Sequence, residues 1–167
     1  KLFGHVLAEA PSLRQKMLIA TKGGIVQGVP YDSSASHLAT ACEGSLKRLR
    51  TDVIDLYQIH RPDLLTHPRE VAGVLDRLRR EGKIREVGVS NFTRSQSDAL
   101  QRHLPFPIVA HQPEFSAWML APLRDGVLDQ CLERDVTPLA WSPLARGLLG
   151  TSVEAARKEP GGERLAA

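Results

Sequence analysis

Residues 53–63 read Val-Ile-Asp-Leu-Tyr-Gln-Ile-His-Arg-Pro-Asp, and this stretch restricts the possible folds more than any other in the chain. Val53, Ile54, Leu56, Tyr57 and Ile59 form a run rich in apolar and β-branched side chains. The run predicts a strand buried on both faces, which belongs inside a parallel sheet covered by helices. The Arg61-Pro62-Asp63 turn ends the strand. His60 is thereby placed at its carboxyl end, where α/β architectures hold their ligands. A histidine there also reads as a simple strand cap. Its weight as a site residue comes from the other strands, which end in the same manner.

The chain opens with what reads as the tail of an amphipathic helix over 1–10. Leu2, Phe3, Val6 and Leu7 share one face, and Pro11 closes it. Met17 to Thr21 predicts a short buried strand ending in Lys22-Gly23-Gly24, with a long polar loop after it. A helix is predicted over about 35–50, N-capped by Ser33 or Ser34, with Leu38, Cys42, Leu46 and Leu49 as its stripe. A second runs over about 68–81, with Pro68 in its first turn, Val71, Val74, Leu75 and Leu78 inward, and Gly82 at its end. Ile84 to Val89 is a strand ending in Ser90-Asn91-Phe92, and Thr93 with Gln96 offers a capping box for the next helix. Ile108 to Ala110 is a strand ending in His111-Gln112. Leu123, Val127, Leu128, Cys131 and Leu132 mark one helix. Val136 to Ala140 predicts a strand, despite Pro138, ending in Trp141-Ser142-Pro143-Leu144. A short helical stretch from Ser152 breaks at Pro160-Gly161-Gly162, and 163–167 reads as the first turn of another helix.

Strands and helices thus alternate through roughly five units with short connections, the pattern of a parallel sheet. Doubly wound and barrel forms share it. No Gly-x-Gly-x-x-Gly follows any strand, which argues against a dinucleotide-binding doubly wound sheet. A complete eight-unit barrel takes about 250 residues, and this chain has 167. The expectation is an α/β fold, the middle of a (β/α)8 TIM barrel, with 1–167 as one barrel domain lacking the first strands and the last β/α unit. An open barrel leaves two sheet edges free to pair with another chain.

Composition narrows the partners. The net charge is only +3, and the arginines (Arg14, Arg48, Arg50, Arg77, Arg79, Arg80 and Arg85) mostly fall on predicted helix faces or ends, where they read as solvated surface. No basic patch interleaved with aromatics points to nucleic acid. No apolar run is long enough for a membrane span, and no signal peptide is visible. Cys42 and Cys131 lie far apart on predicted helices and read as buried free thiols, which suits the cytoplasm.

Each strand ends in a residue able to bind something: Lys22, His60, Ser90-Asn91, Gln112 and Trp141-Ser142. In a barrel these ends converge on one mouth. No Cys/His cluster has metal spacing, Asp55 reads as structural, and no Gly-x-Ser-x-Gly elbow is present. A lysine and a histidine, both donors, suit polarising a carbonyl or an anion better than carboxylate acid–base work. The amides of Asn91 and Gln112 suit a carboxamide or sugar edge, and Trp141 offers a flat face for a ring. Together they describe a pocket for a heteroaromatic amide beside a carbonyl, a description that fits a nicotinamide.

Ala20-Thr21-Lys22-Gly23, Leu56 to Asp63, Gly82-Lys83-Ile84-Arg85, Gly88-Val89-Ser90-Asn91-Phe92 and Ala140-Trp141-Ser142-Pro143-Leu144, in this order and spacing, resemble the aldo-keto reductases over nearly the whole chain, to about Gly150. The His-Arg-Pro-Asp turn is most similar to the bacterial oxidoreductase branch related to potassium-channel β subunits. The resemblance implies a (β/α)8 barrel that binds NADPH without a Rossmann domain and passes hydride to an aldehyde or ketone. It implies Lys22 as the lysine of an Asp-Tyr-Lys-His tetrad, lowering the pKa of the acid tyrosine, and His60 as the histidine that orients the substrate carbonyl. It implies that Ser90, Asn91 and Gln112 hold the carboxamide, that Trp141 stacks on the ring, and that Ser142, Leu144 and Arg146 lie along the pyrophosphate. The tetrad Asp and Tyr would precede Lys1, since neither Tyr31 nor Tyr57 matches the motif, and the grip on the adenosine 2′-phosphate would follow Ala167. This polypeptide by itself is therefore expected to be weakly active or inactive. Pro113 stands where the family usually has an apolar residue with an N–H, so the end of that strand is expected to be reshaped. The competing reading is a regulatory module that senses a nicotinamide cofactor with little turnover.

Overall fold

The computed structural model describes residues 1–150 except Gln27 and Pro30. The predicted segments beyond Gly150 lie outside these residues. Five strands, β1 (Ala20–Gly23), β2 (Ile54–Ile59), β3 (Ile84–Ser90), β4 (Ile108–Gln112) and β5 (Thr137–Pro138), form one sheet in chain order. Every pairing is parallel. Helix α1 (Leu2–Glu9) precedes the sheet, and α2 (Ala35–Leu49), α3 (Pro68–Arg80), α4 (Arg94–Gln101), α5 (Ala121–Arg124) and α6 (Val127–Glu133) make the crossovers. No helix among the described residues is long and apolar enough to cross a membrane.

One face of the sheet carries the core. Tyr57, Ile59, Val87, Val89 and Ile108 cluster there with Leu38 and Cys42 of α2 and with Val71, Leu75 and Leu78 of α3. Local chemistry sets the helix ends. Ser34 caps α2 by accepting from His37 N–H at 3.3 Å, while Ser33 is buried and takes no part. His67 Nδ1 caps α3, a role the sequence did not advertise. Gly82 follows α3 at φ 72°, and the Thr93–Gln96 capping box opens α4.

Several boundaries differ from expectation. β1 begins at Ala20 rather than Met17, and Leu18 is exposed. The cause is a polar anchor below the strand. Asp55 accepts from Ile19 N–H at 2.8 Å and pairs with Arg14 and Arg85 at 2.9 and 3.1 Å. Arg14 also donates to the Met17 and Val53 carbonyls. Asp55 is thus structural, as read, whereas Arg14 is a half-buried tie and not solvated surface. Arg79 also departs from that reading, with its guanidinium 4.5 Å from the centre of the Phe106 ring. In α1 only Leu7 of the expected apolar face is buried, because Gly4, which packs on the Arg48 carbonyl, sets the contact with α2. The helix expected across 123–132 is two, broken where Gly126 adopts φ 78° and Asp125 caps Val127 N–H. Leu123 and Leu132 are consequently exposed. β5 is shorter than expected, and its proline is tolerated at the sheet edge. Cys42 and Cys131 are buried free thiols, and burial pushes Cys42 up to about 11.

Candidate active site at the strand ends

Side chains in register across parallel strands share a face. Lys22 pairs with Gln58, Gln58 with Gly88, and Gly88 with Ala110, so these four form one layer opposite the helix-packed face. Ser90 pairs with Gln112 one layer nearer the carboxyl ends. His60 lies two residues past Gln58 and so joins that upper layer. Its N–H donates to the Gly23 carbonyl at 2.9 Å, which continues the ladder beyond β2.

Asn91 ties the upper layer together. It sits at φ 57°, in the left-handed region that asparagine tolerates better than most residues. There its side-chain amide turns back, donating to the His60 carbonyl at 3.3 Å and to Ser90 Oγ at 2.9 Å. Asn91 Oδ1 accepts from the Trp141 indole at 2.9 Å. Ser90 Oγ donates to the Gln112 carbonyl at 2.8 Å, and the Asn91 N–H reaches the same oxygen at 3.1 Å. Four strand ends are thus joined by one hydrogen-bond network. Trp141 owes its place to a bridge with Glu114 and to its N–H, which donates to the Pro113 carbonyl at 3.0 Å. Proline ends β4 at Gln112 while its carbonyl still holds the next segment.

The expected residues do not all behave alike. Lys22, His60, Ser90, Asn91, Gln112 and Trp141 gather at one end of the sheet. Ser142 and Arg146 lie in the turn that follows, at φ 51° and 58°, and Leu144 and Arg146 are exposed. Asn91 and Ser90 are already committed to one another, to Trp141 and to backbone. The unmet capacity lies elsewhere: Gln112 Oε1 and Gln58 Nε2 are buried without a partner. Gln58 is 1% exposed, and period-two spacing from His60 was the signal that could have found it. A buried amide atom without a partner costs about 1–3 kcal/mol, so a bound group that supplies the partner is favoured. A carboxamide has the donor Gln112 Oε1 lacks, and the indole tethered to Asn91 lies on the same side. The residues present therefore fit a nicotinamide.

The electrostatics are those of a cationic mouth. Burial and the Arg61 charge lower the Lys22 pKa, and burial with the Lys22 and Arg61 charges lowers that of His60. His60 is accordingly a neutral imidazole at neutral pH, with one N–H to donate. Arg61, not singled out from sequence, helps set both. Tyr57 is fully buried and gives its hydroxyl proton to the Leu38 carbonyl at 3.0 Å on the opposite face, so it belongs to the core.

The chain is 51% identical over 150 residues to a 6-dehydroglucose reductase of Novosphingobium aromaticivorans, covering 90% of this chain and 49% of that protein. It is 42% identical over 154 residues to oxidoreductase YdhF of Escherichia coli, covering 88% and 52%. The glycerol dehydrogenase AKR11B4 of Gluconobacter oxydans superposes with a TM-score of 0.81 at 34% identity, over 95% of this chain and 48% of that one. The chain spans about half the length of the relatives it matches, and its five strands correspond to part of their (β/α)8 barrel. A sequence model of the Aldo/keto reductase family matches residues 1–165, and the chain belongs to that family.

Proposed function

We propose that this chain forms the central part of an NADPH-dependent reductase that converts an aldehyde or ketone to an alcohol. The observation that carries the reading is the convergence of Lys22, His60, Gln112 and the Ser90–Asn91–Trp141 network on one end of the sheet, with the Gln112 amide oxygen buried and unpaired. When bound, NADPH supplies the hydride. Gln112 would accept from its carboxamide, Ser90 and Asn91 fix the backbone around Gln112, and Trp141 would support the ring. Ser142, Leu144 and Arg146, in the turn after Trp141, would hold the pyrophosphate. The neutral His60 donates its N–H to the substrate carbonyl oxygen and so fixes which face of the carbonyl meets the hydride. The Lys22 charge stabilises the anionic form of a neighbouring acid, which gives the alkoxide its proton. That acid is the tetrad tyrosine that family membership implies, contributed by a segment other than Tyr57.

The full-length protein should oxidise NADPH when given a carbonyl substrate. With the 6-dehydroglucose reductase among its relatives, oxidised sugars head the panel. NADPH should quench tryptophan fluorescence saturably, and Trp141→Phe should remove most of that quenching. His60→Gln should lower kcat at least about 100-fold, in the range of general acid–base and carbonyl-polarising groups, with cofactor affinity unchanged. Saturable binding without turnover on any carbonyl would instead establish a cofactor-sensing module. No binding at all would refute both readings.

A further inference from the structure

His111 neighbours Gln112 on β4 but points to the helix-covered face, where it is 1% exposed. Its ring lies beside the backbone carbonyl of Phe92, the residue after Asn91, and that carbonyl favours a proton on the ring. Its Nε2 has no partner. On α6, Gln130 is 2% exposed. Its Nε2 donates to the Arg94 carbonyl at 3.2 Å and to the Asp98 carboxylate, while its Oε1 is also without a partner. His111, Gln130 and Ser97 line one small cavity of about 30 Å³. That exceeds the roughly 10–15 Å³ needed to hold one buried water.

The chemistry of these atoms decides the occupant. With the ring proton on the side of the Phe92 carbonyl, Nε2 is an acceptor, and Gln130 Oε1 is an acceptor in any state. Two acceptors cannot satisfy each other, whereas a water has two protons to give. We propose that one buried water donates to both His111 Nε2 and Gln130 Oε1, and that the imidazole so locked is a positioning residue for the Asn91–Phe92 turn. The Ser97 hydroxyl is the natural donor to the water oxygen. The chain of contacts runs from α6 through the water and the imidazole to the Phe92 carbonyl, and so to the backbone of Asn91. This inference deepens the proposed function, because the turn it holds is the one set around the nicotinamide.

The first test is a crystal structure of the full protein at a resolution that shows waters, together with 15N NMR of His111. Density about 2.7–3.2 Å from both atoms and a ring protonated only on Nδ1 are expected. A dry cavity, or a Gln130 amide flipped to donate directly to Nε2, would overturn the bridge. The second test compares His111→Leu with His111→Gln, which keeps a donor for the Phe92 carbonyl. Leu should weaken NADPH binding about tenfold, near 1.4 kcal/mol, and Gln should restore most of it. If both variants lower only the melting temperature and leave cofactor affinity and kcat at wild-type values, the positioning role is wrong. Absence of NADPH binding by the wild type would count against the reductase reading alone, since the density and the tautomer still judge the water.

Discussion

Replacing Gly23 with alanine tests how the sheet is packed immediately beside Lys22. A methyl at residue 23 would overlap the Tyr57 hydroxyl, stand 2.9 Å from the ring carbon that bears it, and lie 3.3 Å from Leu38 Cδ2. Tyr57 has nowhere to retreat, because it is fully buried and its hydroxyl is held at 3.0 Å by the Leu38 carbonyl. Overpacking of this kind costs about 1–3 kcal/mol, and a lost or lengthened hydrogen bond adds about 1 kcal/mol. Gly23→Ala should therefore destabilise the full chain by roughly 2–4 kcal/mol, read as a lower urea midpoint at unchanged slope. The cause is space rather than backbone conformation, so the cost should depend on the hydroxyl. Tyr57→Phe alone should cost about 1 kcal/mol. The double variant should be more stable than the sum of the two single costs predicts, by at least about 1 kcal/mol, as expected for residues in contact. Strict additivity, or a Gly23→Ala cost below about 0.5 kcal/mol, would refute the argument.

Acid should destabilise the protein earlier than its carboxylates alone would. Burial lowers His111 from 6.5 to about 4, against the opposing pull of Asp125; Arg134 and the neutral Cys131 thiol border the same cavity. The unfolded chain binds that proton below about 6.5 and the folded chain only below about 4, so stability falls with pH across this window, by on the order of 3 kcal/mol. Urea titrations from pH 7 to 4 should show the slope, and His111→Gln should flatten it; an unchanged slope would mean that the imidazole is not buried as described. Asp55→Ala should cost about 2–3 kcal/mol, because it leaves the Ile19 N–H unpartnered and two arginines without their acceptor; thermal melting measures it, and a loss under about 0.5 kcal/mol would mean the anchor is not under load. Cys42 and Cys131 should resist a thiol reagent until the chain is unfolded in urea. Rapid modification of either in the native protein would contradict their burial.

What the sequence discloses depends on the range of the interaction. Periodicity and caps are local, and they foretold β2, β3, α2, α3 and the Thr93–Gln96 box to within a residue or two. The start of β1 is set by Asp55, far along the chain, so no window around Met17 contains the reason. The break at Gly126 was visible as a glycine but was outweighed by apolar residues on either side, two of which prove to face solvent. At the mouth, the residues ending each strand were legible from position alone. Their division of labour was not, because Asn91 becomes a scaffold only through contacts to His60, Ser90 and Trp141 that lie from 1 to 50 residues away.

The two faces of the sheet follow different energetic logic, and the contrast supports the proposed site. On the helix-covered face apolar side chains fill space, Tyr57 satisfies its one polar atom internally, Asp55 is paired with two arginines, and His111, Gln130 and Ser97 line a cavity sized for water. On the other face Gln58 and Gln112 keep buried amide atoms unpaired. At about 1–3 kcal/mol each, such atoms would improve stability if replaced by apolar side chains of similar volume. A fold stable by only about 5–15 kcal/mol gains nothing by keeping them for packing. Their distribution argues that this face answers to a ligand. Leucine at residue 112 should therefore raise the melting temperature of the free protein while weakening NADPH binding, and leucine at residue 58 should raise stability while lowering turnover. A loss of stability at both positions would show that the two amides serve the fold and not the site.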